Sequence, residues 1–288
     1  MLHYLVNFLY PPHCAACNVR LAVDSSRRLC ARCRDSVDRM PEALCEVCGI
    51  PLAAVGFGSR DANGADGSGD VDNPEWCANC RLSPPHFTRA RAVVRYHHDS
   101  NDTAGDPGFA DADTSDADAD TADRGDAGDS GARAGGVVSS IIRRHKYGLD
   151  QSLSRALAEC LGDQLPLGAA DYDLIIAVPL HRARLRWRGF NQAALLAVAV
   201  GRRMERPVDL SSLVRVRETP PQTLQHRGER VKNLKRAFAV RRPARVASRR
   251  ILLVDDVMTT GATADECART LIAAGARRVD VLTLARAV

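Results

Sequence analysis

The sequence contains no apolar run that approaches the roughly 20 residues of a membrane-spanning helix, which excludes a span of that kind. Residues 1–10 are apolar but lack the basic region with which a signal peptide begins, and Pro11 and Pro12 end the run at once. We therefore expect a cytoplasmic protein in which these residues pack on the body as a short helix or strand. Hydrophobic residues make up 45% of the 288 positions, which excludes a wholly disordered chain.

Glutamate is absent and aromatic side chains are rare in residues 99–136, which hold eleven Asp, two Arg and a single aromatic residue, Phe109. This tract carries a net charge of −9, so the formal +5 of the chain conceals +14 on the remaining residues. Such a composition buries too little apolar surface to offset the entropy of ordering, and we predict disorder. The tract also lacks the D-x-[DN]-x-[DN]-G loop that ends in Glu, so a solvated acidic loop is favoured over a calcium site.

Eight of the ten cysteines form four C-x-x-C pairs within the first 80 residues. Two thiolates three residues apart can hold one tetrahedral Zn²⁺. Four such pairs favour structural zinc over redox or disulfide chemistry, because nothing in the sequence indicates an oxidising compartment. The pairs are Cys14 and Cys17, Cys30 and Cys33, Cys45 and Cys48, and Cys77 and Cys80.

An internal repeat indicates which pairs share a metal ion. Residues 17–22 resemble residues 48–53, and residues 30–36 resemble residues 77–83, so two kinds of knuckle alternate along the chain. Two tandem zinc ribbons explain this order, with the first four cysteines on one ion and the last four on another. A cross-braced arrangement, which joins the first pair to the third and the second to the fourth, stays open. Four-cysteine sites leave no open coordination position, so we interpret both as structural.

The ribbon region also contains two positions suited to a left-handed backbone and one long polar loop. Asn18 and Gly49 follow the first knuckle of each ribbon, where a left-handed backbone is often needed. Residues 56–73 are rich in Gly, Asp and Ser and are predicted to form a flexible loop inside the second ribbon.

Strand patterns alternate with helix patterns in the second part of the chain. Strands are predicted at 90–96, 173–179, 250–254 and 279–284. Helices are predicted from residue 137 and at 152–165, 191–204 and 263–274. This alternation predicts an α/β domain with a doubly wound, mainly parallel sheet at 89–288, preceded by the tandem zinc-ribbon module at 1–88.

The most specific chemical pattern is at residues 251–263. Four apolar residues are followed by Asp255 and Asp256, at the end of a strand where doubly wound sheets bind ligands. The next residues that turn into a helix are Thr259, Thr260, Gly261, Ala262 and Thr263. Small residues allow backbone N–H groups to approach a phosphate, and the helix N-terminus favours an anion. The paired carboxylates suit sugar hydroxyls, a metal ion, or both.

This segment resembles the phosphoribosyl pyrophosphate (PRPP) motif of type I phosphoribosyltransferases. The resemblance implies that Asp255 and Asp256 are catalytic and hold the ribose hydroxyls, while residues 259–263 bind the 5′-phosphate. It also implies that Mg²⁺ bridges the pyrophosphate and the ribose. Pyrophosphate would leave through an oxocarbenium-like state that the nearby carboxylates stabilise.

Two further segments, 178–192 and 219–238, together with residues 145–148 and the C-x-x-C pairs, resemble the ComF/GntX family. That family joins a zinc-binding module to a phosphoribosyltransferase-like domain. The resemblance implies that Pro179, Leu180 and His181 occupy the pyrophosphate loop. It also implies a role in natural transformation, in handling single-stranded DNA after uptake, with DNA-uptake proteins as partners. Residues 56–73 and 99–136 depart from the family pattern as insertions.

A cluster of basic and aromatic side chains follows the predicted pyrophosphate loop. Arginine supplies phosphate contacts and aromatic rings supply stacking faces, which suits single-stranded nucleic acid. Residues 215–250 add twelve Lys and Arg against two Glu, although such a run is also typical of a solvated face. The predicted nucleic-acid contacts are Arg182, Arg184, Arg186, Trp187, Arg188 and Phe190.

Three functional hypotheses stay open at this point. The first is a DNA-transformation factor that binds PRPP or a nucleotide phosphate without turnover, favoured by the basic body and the zinc module. The second is an active phosphoribosyltransferase of nucleotide metabolism or salvage that acts on an unidentified base or amine, favoured by the acid pair and phosphate loop. The third is a nucleotide-sensing adaptor whose ribbons contact another protein.

Overall fold

This computed structural model describes residues 11–55, 76–97, 136–147, 153–162, 165–218 and 234–288. The predictions for residues 1–10, for the loop at 56–73 and for the acidic tract up to residue 135 lie outside these ranges. Among the residues within them, no helix is long and apolar enough to cross a membrane.

The described ranges contain seven strands and eight α-helices. The strands are β1 (Ala90–Tyr96), β2 (Leu174–Ala177), β3 (Val208–Asp209), β4 (Leu213–Arg215), β5 (Phe238–Val240), β6 (Arg250–Met258) and β7 (Arg278–Ala287). The helices are α1 (Ala31–Asp35), α2 (Ala78–Leu82), α3 (Gly136–Tyr147), α4 (Leu153–Cys160), α5 (Arg182–Arg188), α6 (Gln192–Met204), α7 (Pro243–Val246) and α8 (Ala262–Ala273).

Five strands form one parallel sheet in the order β1-β7-β6-β2-β3. Residues 251–254 of the inner strand β6 are buried, as expected where both faces of a parallel sheet are covered. Helix α6 packs against β2 and β6, and helix α8 packs against β6 and β7. Strands β4 and β5 form a separate antiparallel pair. The predicted fold class, a mainly parallel α/β sheet preceded by a zinc-ribbon module, is confirmed.

Strand β6 is longer than its apolar pattern predicts. It continues four residues beyond Val254 to Met258, because β7 runs beside it and pairs with it up to Met258 and Arg286. Asp255 and Asp256 are therefore strand residues and do not belong to a turn. Conversely, α4 ends at Cys160, short of the predicted end at residue 165, and the left-handed residue Gly162 follows it. Helix α5 and the short strands β3, β4 and β5 were not predicted, because their few residues show no clear period.

The zinc-ribbon module covers the edge strand β1. Arg39 bridges to Val94, the Met40 N–H donates to the Val93 carbonyl at 3.2 Å, and the Arg95 N–H donates to the Asp38 carbonyl at 2.9 Å. An exposed parallel edge would present unpaired backbone groups, and this segment pairs with them. The ribbons and the sheet share one hydrophobic core, and the predicted domain boundary after residue 88 falls between them and stays a prediction.

Candidate functional site

Asp255 and Asp256 lie at the carboxyl end of β6. The Asp256 N–H donates to Oδ1 of Asp255 at 2.9 Å, and the Val257 N–H donates to Oδ1 of Asp256 at 2.7 Å. Successive strand residues alternate between the two faces of a sheet. Asp255 is paired with Thr283 of β7 and lines a small pocket with it. The structure thus brings one acid of the predicted pair into the pocket and turns the other toward the opposite face.

Gly261 forms the turn between β6 and α8. Its φ of +83° is left-handed, and a Cβ at this position would lie 2.6 Å from Cε of Met258. The left-handed φ favours glycine here, whereas the end of the flexible Met258 side chain could move to admit a Cβ. The Ala262 N–H lies 3.4 Å from Oγ1 of Thr260, and α8 begins at Ala262. The first N–H groups of a helix have no partner inside the helix and carry partial positive charge, so this turn favours an anion.

The same pocket joins the turn to the acid. Asp255, Thr283 and all five predicted phosphate-binding residues, 259–263, line it. The hydroxyl oxygen of Thr283 is buried there and has no hydrogen-bond partner within the described residues. A buried polar atom without a partner is costly, and a ligand in the pocket would supply one. The sequence pattern does not single out Thr283, because one Thr in an apolar strand carries no signal.

The predicted pyrophosphate loop, 178–181, lies at the same edge of the sheet. β2 pairs with β6 as far as Ala177 and Val254, and the Val178 N–H donates to the Val254 carbonyl at 2.9 Å. Pro179 and Leu180 are half-buried in this loop. His181 caps α5, since its Nδ1 lies 3.4 Å from the Ala183 N–H, and the same atom lies 3.7 Å from Glu218.

Helix α5 presents only part of the predicted nucleic-acid cluster. Arg182, Arg186 and Trp187 are exposed, with Trp187 at 38% of its full surface, and Arg184 is half-buried. Arg188 and Phe190 are 7% exposed each, so neither offers an open surface in this structure, and their contact with nucleic acid stays a prediction. Their burial follows from the turn into α6.

Phe190 and Arg188 have interior partners. The Phe190 ring lies 4.7 Å from the His145 ring, measured between centroids. The Arg188 guanidinium donates to Oε1 of Gln192 at 3.2 Å. Both side chains therefore stabilise the start of α6. The exposed members of the predicted nucleic-acid cluster are Arg182, Arg186 and Trp187.

Arg215 is a second residue that the sequence analysis did not single out. It lies on β4, with its guanidinium 5.7 Å from the centre of the Phe238 ring. Burial lowers the pKa of Arg215, the neighbouring charge of Arg184 lowers it further, and Asp255 opposes both effects. Its positive charge thus stands close to that of Arg184 and to the carboxylate in the pocket.

The cysteines form two separate four-sulfur clusters. In each cluster all Sγ atoms lie within 4.8 Å of one another. The first comprises Cys14, Cys17, Cys30 and Cys33, and the second comprises Cys45, Cys48, Cys77 and Cys80. The sequential pairing is confirmed, and both sets suit structural Zn²⁺.

Both clusters share the same backbone arrangement. The Cys30 N–H donates to Sγ of Cys14 at 3.4 Å, and the Cys77 N–H donates to Sγ of Cys45 at 3.2 Å. Burial raises the pKa of Cys14, but surrounding N–H groups outweigh it and bring that pKa to about 7. These donors favour the thiolate that a metal requires.

The left-handed positions predicted after each first knuckle are confirmed. Asn18 has φ of +61° and Gly49 has φ of +67°. A Cβ on Gly49 would lie 2.5 Å from the Ala90 carbonyl oxygen, so the second ribbon approaches β1 closely there.

Arg286 of β7 is the cation of the second cluster. It is 4% exposed, and its Nε and Nη1 have no hydrogen-bond partner within the described residues. Burial lowers the pKa of Arg286, and the four thiols of the second ribbon oppose this. Four thiolates around Zn²⁺ carry a net charge of −2, which a buried guanidinium partly offsets. The burial of this charge therefore fits a metal-loaded second ribbon.

Comparison with known proteins gives one family match and several relatives. Residues 5–81 match the double zinc ribbon domain family. The chain is 35% identical over 160 residues to the DNA utilization protein YhgH of Shigella flexneri. This match covers 52% of this chain and 67% of that protein. The chain is also 37% identical over 161 residues to competence protein F of Haemophilus influenzae, which covers 52% of this chain and 68% of that protein.

A solved structure also superposes on part of the chain. It is a glutamine PRPP amidotransferase from B. subtilis in complex with ADP and GMP, with a TM-score of 0.32 and 18% identity. The superposition covers 48% of this chain, which spans about a quarter (27%) of that one. This similarity is too low to bear on function.

Proposed function

Because this chain belongs to the ComF-like family of competence and DNA utilization proteins, we propose that it binds PRPP or a nucleotide phosphate and handles single-stranded DNA after its uptake in natural transformation. Its compartment in this proposal is the cytoplasm, and its partners include proteins of DNA uptake. The observation that carries the proposal is the pocket that unites Asp255, the turn 259–263 and the unsatisfied Thr283 hydroxyl.

A phosphorylated ribose matches the two halves of this pocket. Its phosphate can accept hydrogen bonds from the N–H groups of the turn and the first helical residues, where the helix dipole favours negative charge. Its hydroxyls can donate to the Asp255 carboxylate. Thr283 contributes a further polar contact between the two. An isolated phosphate would leave the carboxylate repelling the ligand.

Mg²⁺ fits the chemistry of this edge of the sheet. Carboxylate oxygens together with substrate phosphates are its usual ligands, and Asp255 offers such an oxygen. When bound, the ion would reduce the negative charge of a pyrophosphate group. The neighbouring loop at 178–181 and the Arg184 and Arg215 cations lie close to where that group would be held.

The exposed residues of α5 support contact with single-stranded DNA. Arg182 and Arg186 are one helical turn apart, and Trp187 adjoins them. Backbone phosphates can contact the arginines while a base stacks on the indole ring. Helix α5 follows directly on residues 178–181. Single-stranded DNA bound to α5 would therefore lie next to the pocket formed by Asp255, Thr283 and residues 259–263, which we call the phosphate pocket.

Active phosphoribosyl transfer is the second candidate, and Asp255 in the pocket favours it. In that reaction the C1–O bond to pyrophosphate breaks, a C1–N bond to a base or amine forms, and the acceptor's proton leaves to solvent or a base. A carboxylate near the ribose stabilises the positive charge that develops on the ring. Incubation of PRPP and Mg²⁺ with pooled nucleobases and amines, with pyrophosphate release as the measurement, tests this candidate.

Calorimetry with PRPP and Mg²⁺ tests the binding proposal. We expect Asp255→Asn to weaken binding at least tenfold and Asp256→Asn to have the smaller effect, because only Asp255 lines the pocket. Both variants keep shape and size and so act as controls for each other. Absence of PRPP binding, or equal affinity in Asp255→Asn and wild type, would remove the proposal.

A further inference from the structure

A second and larger pocket lies beside the phosphate pocket. Its volume is about 340 Å³, and Ala262, the first residue of α8, lines both pockets. The residues around it are His86, Lys235, Arg236, Ala262, Asp265, Glu266 and Arg269. It therefore borders three parts of the chain, namely the segment after the second ribbon, the segment before β5, and α8.

One wall of this pocket is a single face of α8. Ala262, Asp265, Glu266 and Arg269 recur at the spacing that brings residues onto one side of a helix. The Arg269 guanidinium holds Glu266 through two contacts, Nε to Oε2 at 2.8 Å and Nη2 to Oε1 at 2.6 Å. The charges of Arg269 and Glu266 therefore cancel at the end of this wall that is farther from Ala262.

His86 closes a second side and is fastened to the helix. Its N–H donates to Oδ1 of Asp265 at 2.6 Å, and its ring Nδ1 lies 3.0 Å from the same oxygen. Oδ1 of Asp265 therefore contacts both the backbone and the ring of His86. The zinc-ribbon module thus contributes a wall of the pocket through the segment that leaves its last knuckle.

Lys235 and Arg236 supply the third side and the excess charge. Arg236 has a left-handed backbone with φ of +57°, and its N–H donates to Oε1 of Glu266 at 2.7 Å, which fixes this segment on α8. Both side chains are exposed, and within the described residues neither has an ion-pair partner. Glu266 is paired with Arg269 and Asp265 is hydrogen-bonded to His86, so with His86 neutral the three cations and two acids around the pocket sum to a net charge of +1.

We propose that this pocket binds a backbone phosphate of single-stranded nucleic acid whose neighbouring phosphate occupies the turn 259–263. The proposal rests on the proposed function and adds a second subsite to it. Ala262 and Asp265 are within one turn of α8, about 5.4 Å along its axis, so the two subsites lie within reach of adjacent nucleotides. Two cations that have no ion-pair partner among the described residues, beside a helix N-terminus, suit a polyanion, and neither subsite reads a base.

Fluorescence anisotropy with a 5′-phosphorylated oligo-dT tests the second subsite. The variant is Lys235→Ala/Arg236→Ala. The matched control is Arg202→Ala/Arg277→Ala, which removes the same charge from exposed sites near the end of α6 and just before β7. We expect the first variant to bind the oligonucleotide at least tenfold more weakly than the control. The magnitude of its log–log salt slope should fall by about 0.7, because one phosphate contact of a single strand is lost.

Thymidine monophosphate separates the two subsites, because with its single phosphate in the turn it has no neighbouring phosphate for the second subsite. It should bind wild type, Lys235→Ala/Arg236→Ala and the control alike. Equal oligonucleotide affinity in the two double variants would overturn the second subsite and leave the proposed function intact. Failure of wild type to bind oligo-dT would overturn both the subsite and the DNA part of that function, while PRPP calorimetry still tests the phosphate pocket on its own.

Discussion

The Tyr172 hydroxyl donates a hydrogen bond to Oδ2 of Asp280 at 2.7 Å inside the protein, where Asp280 is fully buried. Arg89 and Arg278 donate to the same carboxylate, with Nε of Arg89 at 3.0 Å. Burial raises the pKa of Asp280, but these donors outweigh it and keep that pKa below its usual value. The cluster lies at the amino ends of β2 and β7, opposite the pocket lined by Asp255 and Thr283, so its role is stability.

Tyr172→Phe should lower the free energy of unfolding by about 1 kcal/mol, the usual value of one buried hydrogen bond. Burial and Asp280 raise the pKa of Tyr172 from 10.0 to about 12. The neutral phenol therefore stabilises the fold fully below pH 10, and this contribution is lost as the pH rises through about 12. Denaturant unfolding of both proteins between these pH values should show the difference shrink. Weaker PRPP binding by Tyr172→Phe would contradict a purely structural role.

Paired cysteine substitutions test the metal arrangement. Cys14→Ser/Cys30→Ser disrupts only the first cluster, so metal analysis should still find about one zinc per chain. Cys14→Ser/Cys45→Ser disrupts both clusters and should find none. A cross-braced protein would give the reverse pair of results.

Arg286→Met should loosen the metal of the second ribbon alone. The substitution removes a buried positive charge beside four thiolates while keeping a long side chain, and loss of such a partner costs about 10- to 100-fold in metal affinity. Zinc release to a colorimetric chelator should therefore show one accelerated phase and one unchanged phase. The first ribbon is the internal control, and two unchanged phases would mean that Arg286 does not act on the metal.

Thr283→Val should separate binding from stability. Valine matches the shape of threonine and removes a buried hydroxyl that lacks a partner, so the free energy of unfolding should stay the same or rise by about 1 kcal/mol. PRPP binding should nevertheless weaken, because the ligand would lose a polar contact. Unfolding by denaturant and calorimetry measure the two effects. A variant that is less stable and binds normally would show that the hydroxyl is satisfied within the protein.

Gly261→Ala should weaken phosphate binding by reshaping the turn. A left-handed alanine costs about 1–2 kcal/mol, and its Cβ would also displace Met258. Gly275→Ala is the matched control, since Gly275 has φ of +93° but an added Cβ would meet Ala247 only at 3.7 Å. Both variants should lose similar stability in denaturant unfolding, and only Gly261→Ala should lose affinity for PRPP. Equal affinity in the two variants would exclude the turn from the binding site.

Local patterns were sufficient for the long elements. Strand β1 matches its alternating segment residue for residue, and α6 begins directly after Asn191, whose side chain accepts from the Ala193 N–H at 3.1 Å. The knuckle repeat likewise predicted the left-handed Asn18 and Gly49. These features depend on neighbours in sequence, which is why the sequence reveals them.

The candidate site likewise contains residues that local sequence reveals and residues that only folding brings together. Asp255 and the turn at 259–263 are contiguous, and a strand-turn-helix pattern suffices to find them. Thr283 reaches the site from β7 through the pairing of β7 with β6. Arg215 lies on β4, in the separate antiparallel pair, and only tertiary packing brings its charge near Asp255. The burial of Arg188 and Phe190 likewise depends on packing against α6 and His145, which a count of basic and aromatic residues does not contain.

The sequence by itself determined which residues carry the candidate chemistry: eight cysteines in pairs that suit zinc, and a turn of small residues behind a carboxylate that predicts a phosphate site. Only the tertiary structure decided which groups act together. Folding chose the sequential cysteine clusters, because sulfur atoms must converge within a few ångströms to share an ion. The pleat of β6 separated Asp255 from Asp256, and the docking of the ribbons on β1 carried His86 to α8. Each of these outcomes depends on contacts between residues far apart in the chain, which no local period records.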